Sequence, residues 1–137
     1  MKYNLSRTDD LRLVRRLHRK SFPNDDYDLE GQLWVCRDSN KNPVGFCAAR
    51  LLEDMETVFL NRSGVLPIAN GNGLQRRMIK VRERWAIQGG AKNIVTYALH
   101  DNHASIVNLV KSGYLLYHPA WRWAAEGAHY FLKELRT

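Results

Sequence analysis

Val65-Leu66-Pro67-Ile68-Ala69-Asn70-Gly71-Asn72-Gly73-Leu74-Gln75-Arg76 is the stretch on which the fold turns. Apolar residues run into a proline and then into two glycines one residue apart. From Leu74 a helical period begins: Leu74, Met78, Val81 and Trp85 recur at spacings of four, three and four. They form one buried helix face, which Gly89-Gly90 ends. A strand that runs through glycines into a helix exposes backbone N–H groups at the positive end of that helix, and such a turn holds phosphates without charged side chains. Gly71 and Gly73 lack Cβ and let the backbone approach an anion. Arg76 and Arg77, in the first turn, reinforce the same anion. Gly71-Asn72-Gly73-Leu74-Gln75-Arg76 lacks the third glycine of a dinucleotide fingerprint, and no Gly-Lys-Ser/Thr of a nucleotide-triphosphate loop occurs.

Upstream, Leu5-Ser6 ends a short first strand, and Thr8 is placed to cap a helix running to about Lys20 with Leu11, Val14 and Leu17 buried. Arg12, Arg15, Arg16 and Arg19 then lie outward as a solvated face. Asn24 to Glu30 is an acidic loop with Asp25, Asp26, Asp28 and Glu30. Gln32–Arg37 and Val44–Leu51 read as a hairpin across Ser39-Asn40-Lys41-Asn42-Pro43. Glu56–Leu60 starts a further strand that continues to Pro67, with Gly64 as a candidate bulge. Downstream, Asn93–Leu99 is a strand and Ser105–Lys111 a short helix stopped by Gly113. Tyr114–Tyr117 and His129–Lys133 are two last strands. The order is strand, helix, three-strand meander, helix, strand, helix, two strands, a mixed α/β chain.

At 137 residues the chain is read as one domain, 1–137. Hydrophobic content of 45% and charged content of 26% are those of a globular protein. No apolar run approaches a membrane span of ~20 residues, and Met1 to Ser6 lacks a secretory signal. Cys36 and Cys47 sit in apolar strand surroundings and read as reduced core thiols, which points to the cytoplasm. The net charge of +7 favours anionic partners, among them a phosphate-rich small ligand. His100-Asp101-Asn102-His103 has no third ligand nearby, so no metal is expected. Trp34, Trp85, Trp121 and Trp123 are read as packing residues.

Several independent spacings then coincide. Val65 and Pro67 end a strand, and Gly71 and Gly73 follow at fixed offsets. The helix with Trp85-Ala86 and Gly90, the strand Ile94–Leu99, Asn102, Ile106, Lys111 and the pair Gly113-Tyr114 complete the series. This pattern resembles the GNAT N-acetyltransferase superfamily, closely from about Val44 to Tyr114 and in element order throughout. The resemblance implies an α/β (α+β) fold with a mixed, mostly antiparallel central sheet of about six to seven strands, flanked by helices and splayed near the cofactor site.

The resemblance also implies a function: direct transfer of an acetyl group from acetyl-CoA to a primary amine in a ternary complex. The acceptor is a cationic small molecule or a protein lysine or N-terminus. The chain is expected as monomer or homodimer, with no membrane association, and nucleic acid is not an expected partner. The alternative is a catalytically weak module of the same fold that binds CoA, protein or nucleic acid. On the family pattern the backbone of Asn70, Gly71, Asn72, Gly73, Leu74, Gln75 and Arg76 holds the diphosphate. Val65 and Leu66 pair with the pantetheine arm, and one of their amides faces the thioester oxygen. Asn102 bonds the pantetheine, and Lys111 lies near the ADP end.

The departures bear on mechanism. Asn70 stands where an Arg or Gln is usual, and Gln75 where a Gly or Ala is usual. Leu109 occupies the position at which many members carry the tyrosine that protonates the departing thiolate. Tyr97, His100 and Tyr117 are the candidate proton donors. An ordinary amine of pKa ~10.4 is free base in about one molecule in ~1,000 at neutral pH, so a base is needed. Glu56 is the first candidate and His100 the second. Asp25, Asp26 and Asp28 are the candidate acceptor-binding carboxylates.

Overall fold

A computed structural model describes residues 2–135, and the chain divides into two compact units: Met1–Arg50 with Asn61–Met78, and Leu51–Leu60 with Ile79–Thr137. Among the described residues there are eight strands and three α-helices. The class is mixed α/β with mostly antiparallel strand pairing, as the sequence implies.

The first unit holds β1 (Asn4–Thr8), α1 (Leu11–Ser21), β2 (Gln32–Arg37), β3 (Pro43–Leu51) and β5 (Ser63–Val65), a 3-10 turn at Pro67–Ala69, and the first turn of α2 (Leu74–Gln88). β2 pairs antiparallel with β1 and with β3, and β3 pairs antiparallel with β5. Leu33–Cys36 and Val44–Ala49 are buried without interruption, the pattern of strands covered on both faces. One face packs Leu33, Val35, Phe46 and Ala48 against Val14, Leu17 and Leu29. Cys36 and Val44 cluster with Ala69 and Leu74, so the residue that opens α2 is anchored in core. α1 comes very close at Gly64, where an added Cβ would stand 2.6 Å from Ser21 Oγ and 2.7 Å from Phe46 Cε1. Close packing of a helix therefore accounts for that glycine.

Thr8 does not cap α1. It ends β1, and its hydroxyl accepts the Asp10 N–H at 3.1 Å. Asp10 is the cap, its carboxylate taking the Leu13 N–H at 3.1 Å. Asp10 stands directly before the first helical residue, Leu11, where its carboxylate reaches an unpaired N–H of the first turn.

The second unit holds β4 (Thr57–Phe59), the rest of α2, β6 (Asn93–Leu99), α3 (His103–Lys111), β7 (Leu115–Tyr117) and β8 (Ala128–Glu134). β4 runs parallel to β6, while β6–β8 and β7–β8 are antiparallel. The single strand expected from Glu56 to Pro67 is two: β4 pairs with β6, and β5 pairs with β3. That break raises the strand number from the expected six or seven to eight. α3 starts two residues before the expected Ser105, because the Asn102 side chain accepts the Ser105 N–H at 3.2 Å and caps the helix. Tyr114, 2% exposed, donates to Glu83 at 3.0 Å, and Lys133 reaches the same carboxylate oxygen at 2.9 Å. This bridge ties β8 to α2 and to the residue that follows α3.

Candidate functional site

The loop between the 3-10 turn and α2 has the geometry of an anion nest. Gly71 and Gly73 take φ of +81° and +70°, with no atom within 4 Å of where a Cβ would sit. Gly71, Asn72 and Gly73 are exposed. The first backbone bond of the helix is Arg77 N–H to the Gly73 carbonyl at 3.2 Å. Among the described residues none of the six N–H groups from Gly71 to Arg76 donates a hydrogen bond. Those groups, at the positive end of a 15-residue helix, fit a diphosphate.

The side chains around the loop shape it rather than fill it. The Asn72 amide donates to the carbonyls of Ala69 at 2.9 Å and Asn70 at 3.1 Å, stapling the turn. Gln75, which stands where a Gly or Ala is usual in the family, is half-buried and its Oε1 accepts the Ser63 hydroxyl at 2.8 Å. Arg77 is spent on the Tyr3 carbonyl at 3.1 Å, whereas Arg76 is exposed and makes no ion pair among the described residues. Asn70 is exposed, with its own N–H given to Pro67 at 3.2 Å.

β5 leads into this loop with one edge free. The Leu66 N–H donates to Val44 at 2.8 Å, and the Ala48 N–H to Arg62 at 2.8 Å. Antiparallel pairs alternate between bonded and non-bonded positions, so Val65, opposite Gly45, turns its N–H and C=O away from β3. Of the two amides considered for the thioester oxygen, that of Leu66 is committed to the sheet and that of Val65 is open.

In the second unit, Asn102 and Lys111 open and close α3, both exposed. Glu56 precedes β4, half-exposed and paired with Lys92 at 3.1 Å. The His100 N–H and ring Nδ1 both approach the Gly127 carbonyl, at 3.0 and 3.3 Å. A carbonyl only accepts, so neutral His100 carries its proton on Nδ1 and leaves Nε2 as a lone-pair acceptor. The two candidate bases lie at opposite ends of β6. Glu56 accepts from Lys92 and Asn93, and ~3.3 Å per residue puts roughly 25 Å of strand between Lys92 and His100. They cannot serve one reacting atom.

Tyr97 and Tyr117 belong to an aromatic cluster. Trp123 packs edge-on against Phe59 at 5.3 Å, Tyr97 at 5.7 Å and Tyr130 at 4.9 Å. Tyr117 lies 6.2 Å from Tyr130. Burial and the neighbouring Tyr130 push the Tyr117 phenol up, against a hydrogen bond with Trp123. Tyr117 therefore keeps its proton above the usual phenol range. Leu109 is buried, 4% exposed.

The acidic loop separates into different roles. Asp25 accepts from Arg62 Nε at 2.8 Å and His18 Nε2 at 3.1 Å on one oxygen, and from the Tyr27 N–H at 3.0 Å on the other. Asp28 pairs with exposed Arg15 at 3.2 Å, and Asp26 is exposed with no ion pair among the described residues. His18 is a further residue at this loop, reaching Asp25 from α1, and its spacing of four from Val14 places it on the buried stripe. The Ser63–Gln75 bond has no local signature at all. Burial raises the Asp25 carboxyl, but Arg62, the Tyr27 N–H and His18 outweigh it and hold the group below the usual carboxylate value. A depressed folded pKa stabilises the fold above the ordinary value near ~3.9. That stability is lost as pH falls through the folded value. Asp25→Asn is expected to cost about 1–3 kcal/mol at neutral pH. Thermal melts should show the gap to wild type closing below pH ~4; a constant gap would mean the carboxylate charge is not what binds.

Among the described residues no helix is long and apolar enough to cross a membrane, and no group of three His, Cys, Asp or Glu is placed to hold a metal ion.

The architecture is that of acetyltransferases. An IAA acetyltransferase from Bacillus cereus superposes with a TM-score of 0.80 at 12% identity, covering 98% of this chain and 100% of that one. A GNAT family acetyltransferase from Elizabethkingia anophelis, solved with acetyl-CoA bound, gives 0.78 at 16% over 97% and 98%. The ribosomal-protein-S18-alanine N-acetyltransferase from Escherichia coli gives 0.75 at 13% over 99% and 96%. Identities this low speak for the fold alone. No functionally curated protein matches the sequence. The profile of the acetyltransferase (GNAT) family, however, matches residues 3–114, and the chain belongs to that family.

Proposed function

We propose that this protein is a single-domain N-acetyltransferase that uses acetyl-CoA and acetylates a primary amine directly, in a ternary complex. The observation that carries the reading is the row of six unbonded N–H groups from Gly71 to Arg76, continuous with the open Val65 edge of β5. A diphosphate fits the first, and the amide-bearing pantetheine arm fits the second as an added strand would. Arg76 adds charge to the diphosphate. Asn102 and Lys111 are assigned to the same cofactor on the family pattern. The relative from Elizabethkingia anophelis, solved with acetyl-CoA, supports the choice of thioester.

Acetyl-CoA supplies an activated acetyl thioester. The Val65 N–H is the chain's donor for the oxygen on which negative charge grows. The amine nitrogen forms the new C–N bond as the C–S bond breaks, so one proton must leave nitrogen and one must reach sulfur. For the first, His100 Nε2 is the open acceptor, whereas Glu56 is already paired with Lys92. For the second, the candidate donors are the phenols of Tyr97 and Tyr117, which belong to the aromatic cluster around Trp123 and Tyr130. Asp26, exposed and with no ion pair among the described residues, favours an acceptor that arrives as an ammonium ion. Cys36 and Cys47 are buried and in no disulfide, and burial pushes the Cys36 thiol up, so neither suits an acyl-enzyme. Reduced thiols also suit a cytoplasmic setting.

Calorimetry with CoA, followed by thiol release from acetyl-CoA across a panel of polyamines, amino acids and peptide N-termini, tests the reading. Micromolar CoA binding and amine-dependent thiol release are expected. Binding without release from any amine would favour the catalytically weak module.

A further inference from the structure

α1 carries a charge pattern that acetyl transfer does not explain. Its eleven residues include Arg12, Arg15, Arg16, Arg19 and Lys20, all exposed, and no carboxylate. The apolar side of the helix is fully used, with Val14 and Leu17 in the core. The nearby acids are largely engaged: Asp10 caps the helix, Asp25 is held by Arg62 and His18, Asp28 pairs with Arg15, and Glu30 faces Arg50 at 3.8 Å. Asp9 and Asp26 are exposed at the two ends of the region. Arg12, Arg16, Arg19 and Lys20 form no ion pair among the described residues. Arg12–Arg16 and Arg16–Lys20 are like-charge neighbours one turn apart, an arrangement that costs helix stability. A face built only for solubility interleaves acids with bases; this one does not.

We propose that the ridge Arg12, Arg16, Arg19, Lys20 is an interaction surface for the phosphodiester backbone of a nucleic acid, bound without sequence preference. The sequence alone reads these residues as a solvated face. What changes the reading is that the structure finds an ion pair for Arg15 and none for the other four. The cations Arg12, Arg16, Arg19 and Lys20 have one exposed large apolar neighbour, Phe22 at the end of α1, too little for the apolar centre a protein partner would bury. A lipid surface would need an apolar helix face to bury, and that of α1 is already packed in the core. A contact made of cations alone is what backbone phosphates take, and arginine forks suit phosphate oxygens. The net charge of +7 adds long-range attraction.

Fluorescence anisotropy with labelled 20-base-pair DNA and RNA duplexes tests this. Three phosphate contacts predict a slope of log K against log salt of about −2.7, so binding weakens roughly 40-fold between about 50 and 200 mM salt. Arg12→Gln/Arg16→Gln/Arg19→Gln should bind about tenfold or more weakly with most of the slope gone, and should keep its far-ultraviolet dichroism and its CoA affinity. Lys41→Gln/Arg84→Gln/Arg122→Gln, which lowers net charge equally at exposed sites elsewhere, should bind nearly as wild type. Equal loss in the two triple variants would overturn the proposal, as would no duplex binding at low salt. Binding of poly-glutamate or of anionic phosphatidylserine vesicles in place of either duplex would also overturn it.

Discussion

Gly73→Ala is expected to weaken CoA binding by about tenfold while leaving the protein folded. Gly73 holds φ at +70°, and an added Cβ would meet no protein atom within 4 Å. The folded chain therefore bears only the backbone cost of a left-handed alanine, about 1–2 kcal/mol. The melting temperature should drop by only a few degrees. Binding suffers as well. The N–H groups of Gly73 and its neighbours converge because Gly71 and Gly73 both take positive φ. Relaxing one glycine swings its peptide and separates the donors. To bind, the variant must restore the nest at the ~1–2 kcal/mol of a left-handed alanine, a loss of roughly 5- to 30-fold in affinity. Calorimetry on wild type and variant, with circular dichroism as the folding control, decides. A variant that binds CoA within threefold of wild type would sink the nest and the cofactor assignment with it.

The fold was legible because its signals are local. The Leu74–Trp85 period gives the helix, Gly71 and Gly73 give its approach, and uninterrupted apolar runs give β2 and β3. The boundaries that differ do so where local signals compete or where distant pairing decides. Thr8 and Asp10 both suit a cap, and only the register of β1 decides between them. The break between β4 and β5 depends on which strand pairs with each half, and that information lies more than thirty residues away, at Val95, for Leu60. The site was legible in its backbone and obscure in its side chains. A glycine turn before a helix presents N–H groups whatever the residues do. Whether Gln75 blocks that turn depends on Ser63, which holds it at 2.8 Å. Asp25 reads as a surface carboxylate until His18 and Arg62, 7 and 37 residues away, are seen on the same oxygen.

Gly31→Ala is expected to be among the most damaging small substitutions in the chain, lowering stability by about 4 kcal/mol, the sum of left-handed strain and overpacking. Gly31 takes φ of +91°, and an added Cβ would stand 2.6 Å from Arg50 Cβ and 2.9 Å from Arg50 Cα, and closer still to the Ala49 carbonyl oxygen. Those neighbours belong to β3, fixed by its register with β2, where Gln32 faces Ala49. Backbone in a paired strand cannot step aside as a side-chain tip can. The adjoining Glu30 carbonyl accepts from buried Asn61 at 3.0 Å, so displacing the turn also strips a bond from a buried amide. Against a typical total of about 5–15 kcal/mol, the variant would be marginal. Gly71→Ala is the natural control, because φ there is +81° and no atom lies within 4 Å of its Cβ position. Its cost is the backbone strain alone, about 1–2 kcal/mol. Urea unfolding of the two variants separates steric conflict from backbone strain. If both lose the same stability, the collision with β3 is absent and the close approach at Gly31 is not a fixed feature of the fold.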